Sequence, residues 1–303
     1  MIGVKNSNFK NYLLLIRLPN LFTLPSNILV GFILVSSFTL TITSVIQVLT
    51  LVTISIFLYC VGLVLNDIFD YEIDKRERPN RPLASDKISR KIAIIMVAIF
   101  TAIALILSLL VSVTTFSISL LLLIVIFGYD KYLKNTSVGP FTIAAARVTN
   151  VILGTTANIG SVDNFPQNIQ LVFILIITFV YVSAIGFLSR YEVHGFSENI
   201  RSYLIPITIA GIVSSILVFN VVGFFKYESL LILTLFSVIM GKAMYNIHKK
   251  NSIGIQKTIQ LMILSIIVLD SVFLTGIAGL IVGLPILILL APLLILARKM
   301  YMT

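Results

Sequence analysis

Residues 66 to 82 read Asn66-Asp67-Ile68-Phe69-Asp70-Tyr71-Glu72-Ile73-Asp74-Lys75-Arg76-Glu77-Arg78-Pro79-Asn80-Arg81-Pro82. If a helix continues through the first nine of these, a turn of about 100° per residue brings Asp67, Asp70 and Asp74 within roughly 60° of one another, with Asn66 about 40° further round. Three carboxylates and an amide on one face repel unless a cation lies between them. Hard oxygen donors with open positions suit Mg2+, which typically binds through carboxylates together with substrate phosphates. A diphosphate bridged by Mg2+ is a good leaving group, and an allylic carbon that loses it becomes a delocalised carbocation that an acceptor can trap. Arg78, Arg81 and Lys87, just beyond, are placed to neutralise the remaining phosphate oxygens. The alternative is a solvated loop whose acids and bases balance one another. Such a loop requires neither acids at one-face helical spacing nor an Asn beside them.

Other polar residues stand in apolar surroundings. Arg147 and Asn150 are three apart and share a helix face, and an Arg in hydrocarbon must point into a bundle or find a partner. A substrate cavity is the functional reading, an interhelical hydrogen bond or snorkelling the structural one. Glu192 beside His194 makes a candidate base or ligand pair, against the alternative of a solvated histidine. Asp270 lies in mid-run, functional or paired by default, with no partner that the sequence names. His248-Lys249-Lys250 reads as an orientation determinant and an anchor for anionic lipid headgroups. The single cysteine, Cys60, permits neither a disulfide nor a Cys-based metal site. No Walker loop, dinucleotide fingerprint or haem pattern is present.

The elements that must position these residues are transmembrane helices. The 303 residues are 58% hydrophobic and only 11% charged, with mean hydropathy +1.07, where soluble domains carry about 25% charge. Apolar runs such as 171–188, 205–225 and 259–280 approach or reach the roughly 20 residues needed to cross a bilayer. The expected spans are 12–38, 44–65, 91–112, 116–130, 138–159, 169–188, 203–222, 229–247, 258–277 and 281–297, the last pair divided near Gly279, Gly283 and Pro285. The net charge of +10 would suggest nucleic acid in a soluble protein. Here nearly all the basic residues fall in alternate connections, which by the positive-inside rule face the cytoplasm, so nucleic acid is excluded as a partner. No cleavable secretion signal stands out. The expected fold class is all-α, a polytopic transmembrane helical bundle of about nine or ten helices in one domain over residues 1–303, with no extramembrane domain.

The run Asn66-Asp67-x-x-Asp70-x-x-x-Asp74, followed by Arg78-x-x-Arg81-Pro82-Leu83, resembles the first signature of the UbiA superfamily of intramembrane prenyltransferases. Arg17-Leu18-Pro19-Asn20 and Tyr129-x-x-Tyr132-Leu133-Lys134 extend the likeness over most of the chain. The resemblance implies a helical bundle around a central cavity, in which a polyprenyl chain is joined from its diphosphate to an aromatic ring or another lipophilic acceptor. By position it implies Mg2+ and diphosphate at Asn66, Asp70 and Asp74, with Arg17, Arg81 and Lys134 as phosphate-binding candidates; Asp67 joins the metal-ligand candidates, and Asn20 and Arg78 the substrate-binding ones.

The second family signature departs from pattern. Aligning Gly195 with the family glycine puts Ser189, Glu192 and Phe196 where three aspartates are expected, so Glu192 alone keeps a carboxylate in register. It joins the three aspartates as a catalytic and metal-ligand candidate, with Arg190, His194, Arg147 and Asn150 on the substrate side. The Ser189-Arg190-x-Glu192-Val193-His194-Gly195 run and Arg147-x-x-Asn150-x-x-x-Gly154 resemble the EboC-type subgroup.

Two functions follow. The first is a Mg2+-dependent intramembrane prenyltransferase acting on a prenyl diphosphate and a lipophilic or aromatic acceptor. The second is a non-catalytic UbiA-like membrane protein that binds or moves a lipophilic metabolite. Both put the chain in contact with membrane lipid, multi-pass in a bacterial inner (cytoplasmic) membrane with its site facing the cytoplasm, and neither requires an obligate protein partner.

Overall fold

In hydrocarbon, backbone N–H and C=O groups have no water to bind, so apolar runs of this length are forced into helices. A computed structural model describes residues 3–36, 41–157, 165–192, 199–247 and 252–297, and every regular element in it is helical. In chain order these are α1 (Gly3–Leu15), α2 (Leu18–Leu21), α3 (Thr23–Val35), α4 (Ile42–Phe69), α5 (Tyr71–Glu77), α6 (Arg90–Val111), α7 (Val113–Gly128), a π turn (Tyr129–Leu133), α8 (Gly139–Thr155), α9 (Phe165–Ser189), α10 (Asn199–Val221), α11 (Ser229–Ile247), α12 (Ser252–Ala278), α13 (Leu280–Gly283), a 3-10 turn (Leu284–Leu289) and α14 (Leu290–Ala297).

Among the described residues, 8 segments are long and apolar enough to cross a membrane, and α8, at 17 residues, runs between two of them. The last segment, Leu280–Leu296, is shorter and irregular. It turns at Gly279, whose φ of 97° favours glycine, returns along α12 and ends against α2. The described residues thus hold eight candidate spans, with α8 and the Leu280–Leu296 segment packed among them, and four of the expected spans differ from the sequence-based expectation. The first expected span, 12–38, is broken at Arg17, because Pro19 starts a new helix at Leu18. The fourth runs over Val113–Leu133 instead of 116–130, ending in the π turn. The ninth, α12, is longer than 258–277, and the tenth is not one regular helix.

The core sits around α12, whose Val268, Val272, Phe273 and Leu274 are fully buried, packed by α3, α9, α11 and α13. Large side chains such as Ile94, Ile106, Leu110, Ile124 and Val238 are exposed, which a bilayer accepts and water does not. Where α3 crosses α8, Gly31 and Gly154 face each other backbone to backbone, a small-residue contact of the kind that lets membrane helices approach closely.

The segment after α5 is no solvated loop. Leu83 and Ile88 are buried, 1% and 2% exposed, against Leu15, Val64 and Ile68 at the ends of α1 and α4. Burying these side chains folds the segment back over the aspartates and brings Arg81 with it.

Candidate functional site

Helix α4 ends at Phe69, and Asp70, at φ −83° and ψ 2°, joins it to α5. The turn is kept all the same: the Asp70 N–H donates to the Asn66 carbonyl at 2.9 Å and the Asp74 N–H to the Asp70 carbonyl at 2.7 Å. The expected shared face of Asn66, Asp67, Asp70 and Asp74 therefore exists. Asp67 and Asp74 are each only 3% exposed, so their charges need partners.

Basic side chains from three separate parts of the chain pair with the aspartates. Arg81, on the folded-back segment, donates to Asp74 Oδ2 at 2.6 Å and to Asp67 Oδ1 at 3.4 Å. Arg17 reaches Asp67 Oδ1 at 3.5 Å. It sits in the left-handed region at φ 43°, a conformation costly for a residue with a Cβ and often found at functional sites. Lys134, just past the π turn, donates to Asn66 Oδ1 at 2.6 Å and also contacts Asp70 Oδ2. One ammonium thus lies where an amide oxygen and a carboxylate oxygen converge.

Basic side chains thus lie between the carboxylates. Among the described residues no three His, Cys, Asp or Glu side chains are grouped for a metal ion, because basic side chains already separate the acids. The donor chemistry still fits Mg2+: hard oxygens of Asn66 and Asp70 meet at a point that holds a cation, and phosphate oxygens are natural partners for the displaced ammonium.

Beneath this cluster opens a cavity of about 280 Å³. Its mouth is lined by Arg17, Asn66 and Asp130, its wall by apolar side chains such as Leu122, Ile126 and Ile263, and its inner part by Asn20, Tyr59, Arg147 and Asn150. The inner polar groups form a network. Arg147 donates to the Thr23 carbonyl at 2.6 Å, with its Nε–H buried and unpartnered. Asn150 donates to Asn27 Oδ1 at 3.0 Å and accepts from the Ser55 hydroxyl at 2.6 Å. Asp270, 2% exposed, accepts from Ser26 at 2.6 Å and is the carboxylate that offsets the Arg147 charge from behind the cavity wall. Arg147 and Asn150 therefore bridge helices and also line the cavity.

Several predicted residues are not brought into the cluster. Arg78 and Lys87 make no ion pair among the described residues, because the chain direction set by buried Pro82 and Leu83 spends Arg81 alone on the aspartates. Glu192 caps the end of α9 through its backbone N–H to the Ser189 carbonyl at 3.3 Å, and its carboxylate makes no ion pair with any described residue. Arg190 donates to the Thr136 carbonyl in the connection that carries Lys134, so it braces that connection. His194 lies outside the described residues. Sequence reasoning missed Asp130, although it stands inside the Tyr129-to-Lys134 motif. It also left Asp270 without a partner, which Ser26 and Arg147 now provide.

A sequence profile of the UbiA prenyltransferase family matches residues 25–251. Among curated relatives, the digeranylgeranylglyceryl phosphate synthase of Methanococcus aeolicus is 36% identical over 160 residues, covering 52% of this chain and 56% of that protein. The chain thus spans about half the length of the curated relatives it matches. Among solved structures, a UbiA homologue from Aeropyrum pernix K1 superposes with a TM-score of 0.68 at 14% identity, covering 84% of this chain and 96% of that one. A UbiA homologue from Archaeoglobus fulgidus, bound to DMAPP and Mg2+, gives a TM-score of 0.54 at 13% identity, covering 95% and 98%.

Proposed function

Because the chain belongs to the UbiA prenyltransferase family, we propose that it is a Mg2+-dependent intramembrane prenyltransferase that moves a polyprenyl group from its diphosphate to a lipophilic acceptor. One observation carries this reading: Asn66 and Asp70 oxygens converge on a single cation at the mouth of an apolar cavity that also contains a buried Arg. A diphosphate with a long hydrocarbon tail has that polarity pattern.

In this reading Asn66 and Asp70, with Asp67 and Asp74 beside them, hold Mg2+, which supplies the charge that makes the diphosphate a leaving group. Arg17, Arg81 and Lys134 take phosphate oxygens, exchanging carboxylate partners for phosphate ones. The apolar wall holds the prenyl chain and excludes water from a carbocation-like centre. Asn20, Arg147 and Asn150 offer hydrogen bonds to an acceptor's polar group. On the strength of the resemblance alone, Glu192 with His194 orients metal or acceptor, and Arg190 binds substrate. The whole forms one functional domain over residues 1–303, in the cytoplasmic (inner) membrane. Its site faces the cytoplasm, supported by the clustering of basic residues around α5 and the connection after the π turn.

The names of the curated relatives favour geranylgeranyl diphosphate as donor and a geranylgeranylglyceryl phosphate as acceptor. The EboC-type likeness rests on residues 189–195 and on Arg147, Asn150 and Gly154, and it names no substrate. A non-catalytic reading, binding or moving a lipophilic metabolite, is favoured only by Ser189 and Phe196 in the second signature.

The test is product formation by purified protein in lipid nanodiscs with Mg2+, labelled geranylgeranyl diphosphate and geranylgeranylglyceryl phosphate. Acceptor-dependent diphosphate release is expected. Folded protein that binds prenyl diphosphates of any length from dimethylallyl to geranylgeranyl without releasing diphosphate would leave the non-catalytic reading in its place.

A further inference from the structure

We propose that Asp130 is the proton acceptor of the transfer step, a role that rests on the prenyltransferase reading. Among the described residues Asp130 is the one carboxylate that lines the cavity. It is only 9% exposed, and its carboxylate makes no hydrogen bond or ion pair to any described residue. An ionisable side chain left unpaired at the edge of a hydrocarbon-lined chamber is expensive, and such groups are retained for function. The other acids are unsuited to the task. Asp67, Asp70 and Asp74 are each bonded to a cation, which occupies the lone pairs that a proton would need.

Backbone geometry accounts for the placement. Asp130 lies in the π turn Tyr129–Leu133, closed by the Lys134 N–H donating to the Tyr129 carbonyl at 2.9 Å. The extra residue in this turn lets Lys134 reach Asn66 and Asp70 while Asp130 faces the cavity. Single π turns inside α-helices recur at functional sites for this kind of re-aiming. Asp130 also lies within electrostatic range of Lys134, Asp70 and Arg17, so it stands beside the place proposed for the diphosphate.

The step balances as follows. The allylic carbon–oxygen bond of the prenyl diphosphate breaks, and its electron pair leaves on the diphosphate. A lone pair of the acceptor hydroxyl forms the new carbon–oxygen bond, and the hydroxyl proton passes to a carboxylate oxygen of Asp130, to be released to solvent at the cavity mouth. A buried acid that served only as counter-ion to Lys134 and Arg17 would act on binding instead.

The experiment compares wild type, Asp130→Asn and Asp130→Glu in nanodiscs, measuring thermal unfolding, Mg2+-dependent affinity for geranylgeranyl diphosphate, and transfer to geranylgeranylglyceryl phosphate. Asp130→Asn is expected to fold, to bind the donor within about threefold of wild type, and to transfer on the order of 100-fold more slowly, with partial recovery in Asp130→Glu. Transfer by Asp130→Asn within about threefold of wild type refutes the role, and so does loss of donor affinity in step with transfer, which would make Asp130 part of the diphosphate clamp. A wild type that neither binds nor transfers takes down the parent reading and this one together, an outcome distinct from the other two.

Discussion

Gly154→Ala adds one methyl group at the point where α3 and α8 touch. A Cβ there would lie 3.1 Å from the Ile28 carbonyl carbon and 3.2 Å from Gly31 Cα, and it would overlap the Ile28 carbonyl oxygen outright. All three atoms are backbone, so no side chain can swing aside. The helices must part by on the order of an ångström, and overpacking of this kind costs about 1–3 kcal/mol. For a chain of this size that corresponds to a fall in Tm of about 2–6 °C. The displacement does not stay local. Asn150 lies one helical turn from Gly154 and Asn27 one turn from Gly31, so their 3.0 Å hydrogen bond is stretched first, and the 2.6 Å bond from Arg147 to the Thr23 carbonyl follows. Misplacing groups in a reactive cavity by about 1 Å is worth on the order of 100-fold in turnover. Gly211→Ala is the control, since a Cβ at that helical position meets nothing within 4 Å. It should be neutral or slightly stabilising, because alanine is the better helix former. Thermal unfolding of both variants in one detergent decides the matter. If Gly154→Ala melts with Gly211→Ala and wild type, the backbone contact that sets the α3–α8 spacing is wrong.

Two further outcomes follow from the buried charges. Arg81→Ala leaves Asp67 and Asp74, with 4% and 5% of their side chains exposed, short of their nearest cation. Stability should drop by about 3 kcal/mol, and donor affinity with it; an unchanged unfolding midpoint contradicts the pairing. Asp270→Asn keeps a group able to bond Ser26 but strands the Arg147 charge, so it should lower stability. In a double-mutant cycle, Arg147→Met combined with Asp270→Asn should cost clearly less than the sum of the two single changes, and strict additivity would show that the two charges do not sense each other.

The helical periodicity of Asn66, Asp67, Asp70 and Asp74 was legible because it lies within one stretch of nine residues, where spacing fixes which side chains share a face. The traverses were legible because charge-free apolar runs leave the backbone no other fold. What the sequence could not show is what comes to that face from afar. Lys134 meets Asn66 across 68 residues and Arg17 meets Asp67 across 50, and those distances close only when α2, α4 and the π turn pack together. The choice of Arg81 over Arg78 depends on burying Leu83 and Ile88, a tertiary event. Asp130 escaped notice for a local reason. Read as an ordinary α-helix, Tyr129 to Lys134 gives no sign of the π turn that opens the site to both an acid and a base. The break at Arg17 was foreshadowed by Pro19, but its left-handed backbone has no sequence signal, since arginine rarely adopts it.

The central claim is that Asn66 and Asp70 build a cation site for a prenyl diphosphate, and the most direct measurement is equilibrium binding of labelled geranylgeranyl diphosphate to wild type and Asp70→Ala, with Mg2+ and with EDTA. The account predicts saturable binding by wild type that requires Mg2+ and weakens by about tenfold or more in Asp70→Ala, the loss of one charge-assisted contact being worth roughly 1.5–3 kcal/mol. Binding that is indifferent to both Mg2+ and Asp70 in folded protein would contradict it.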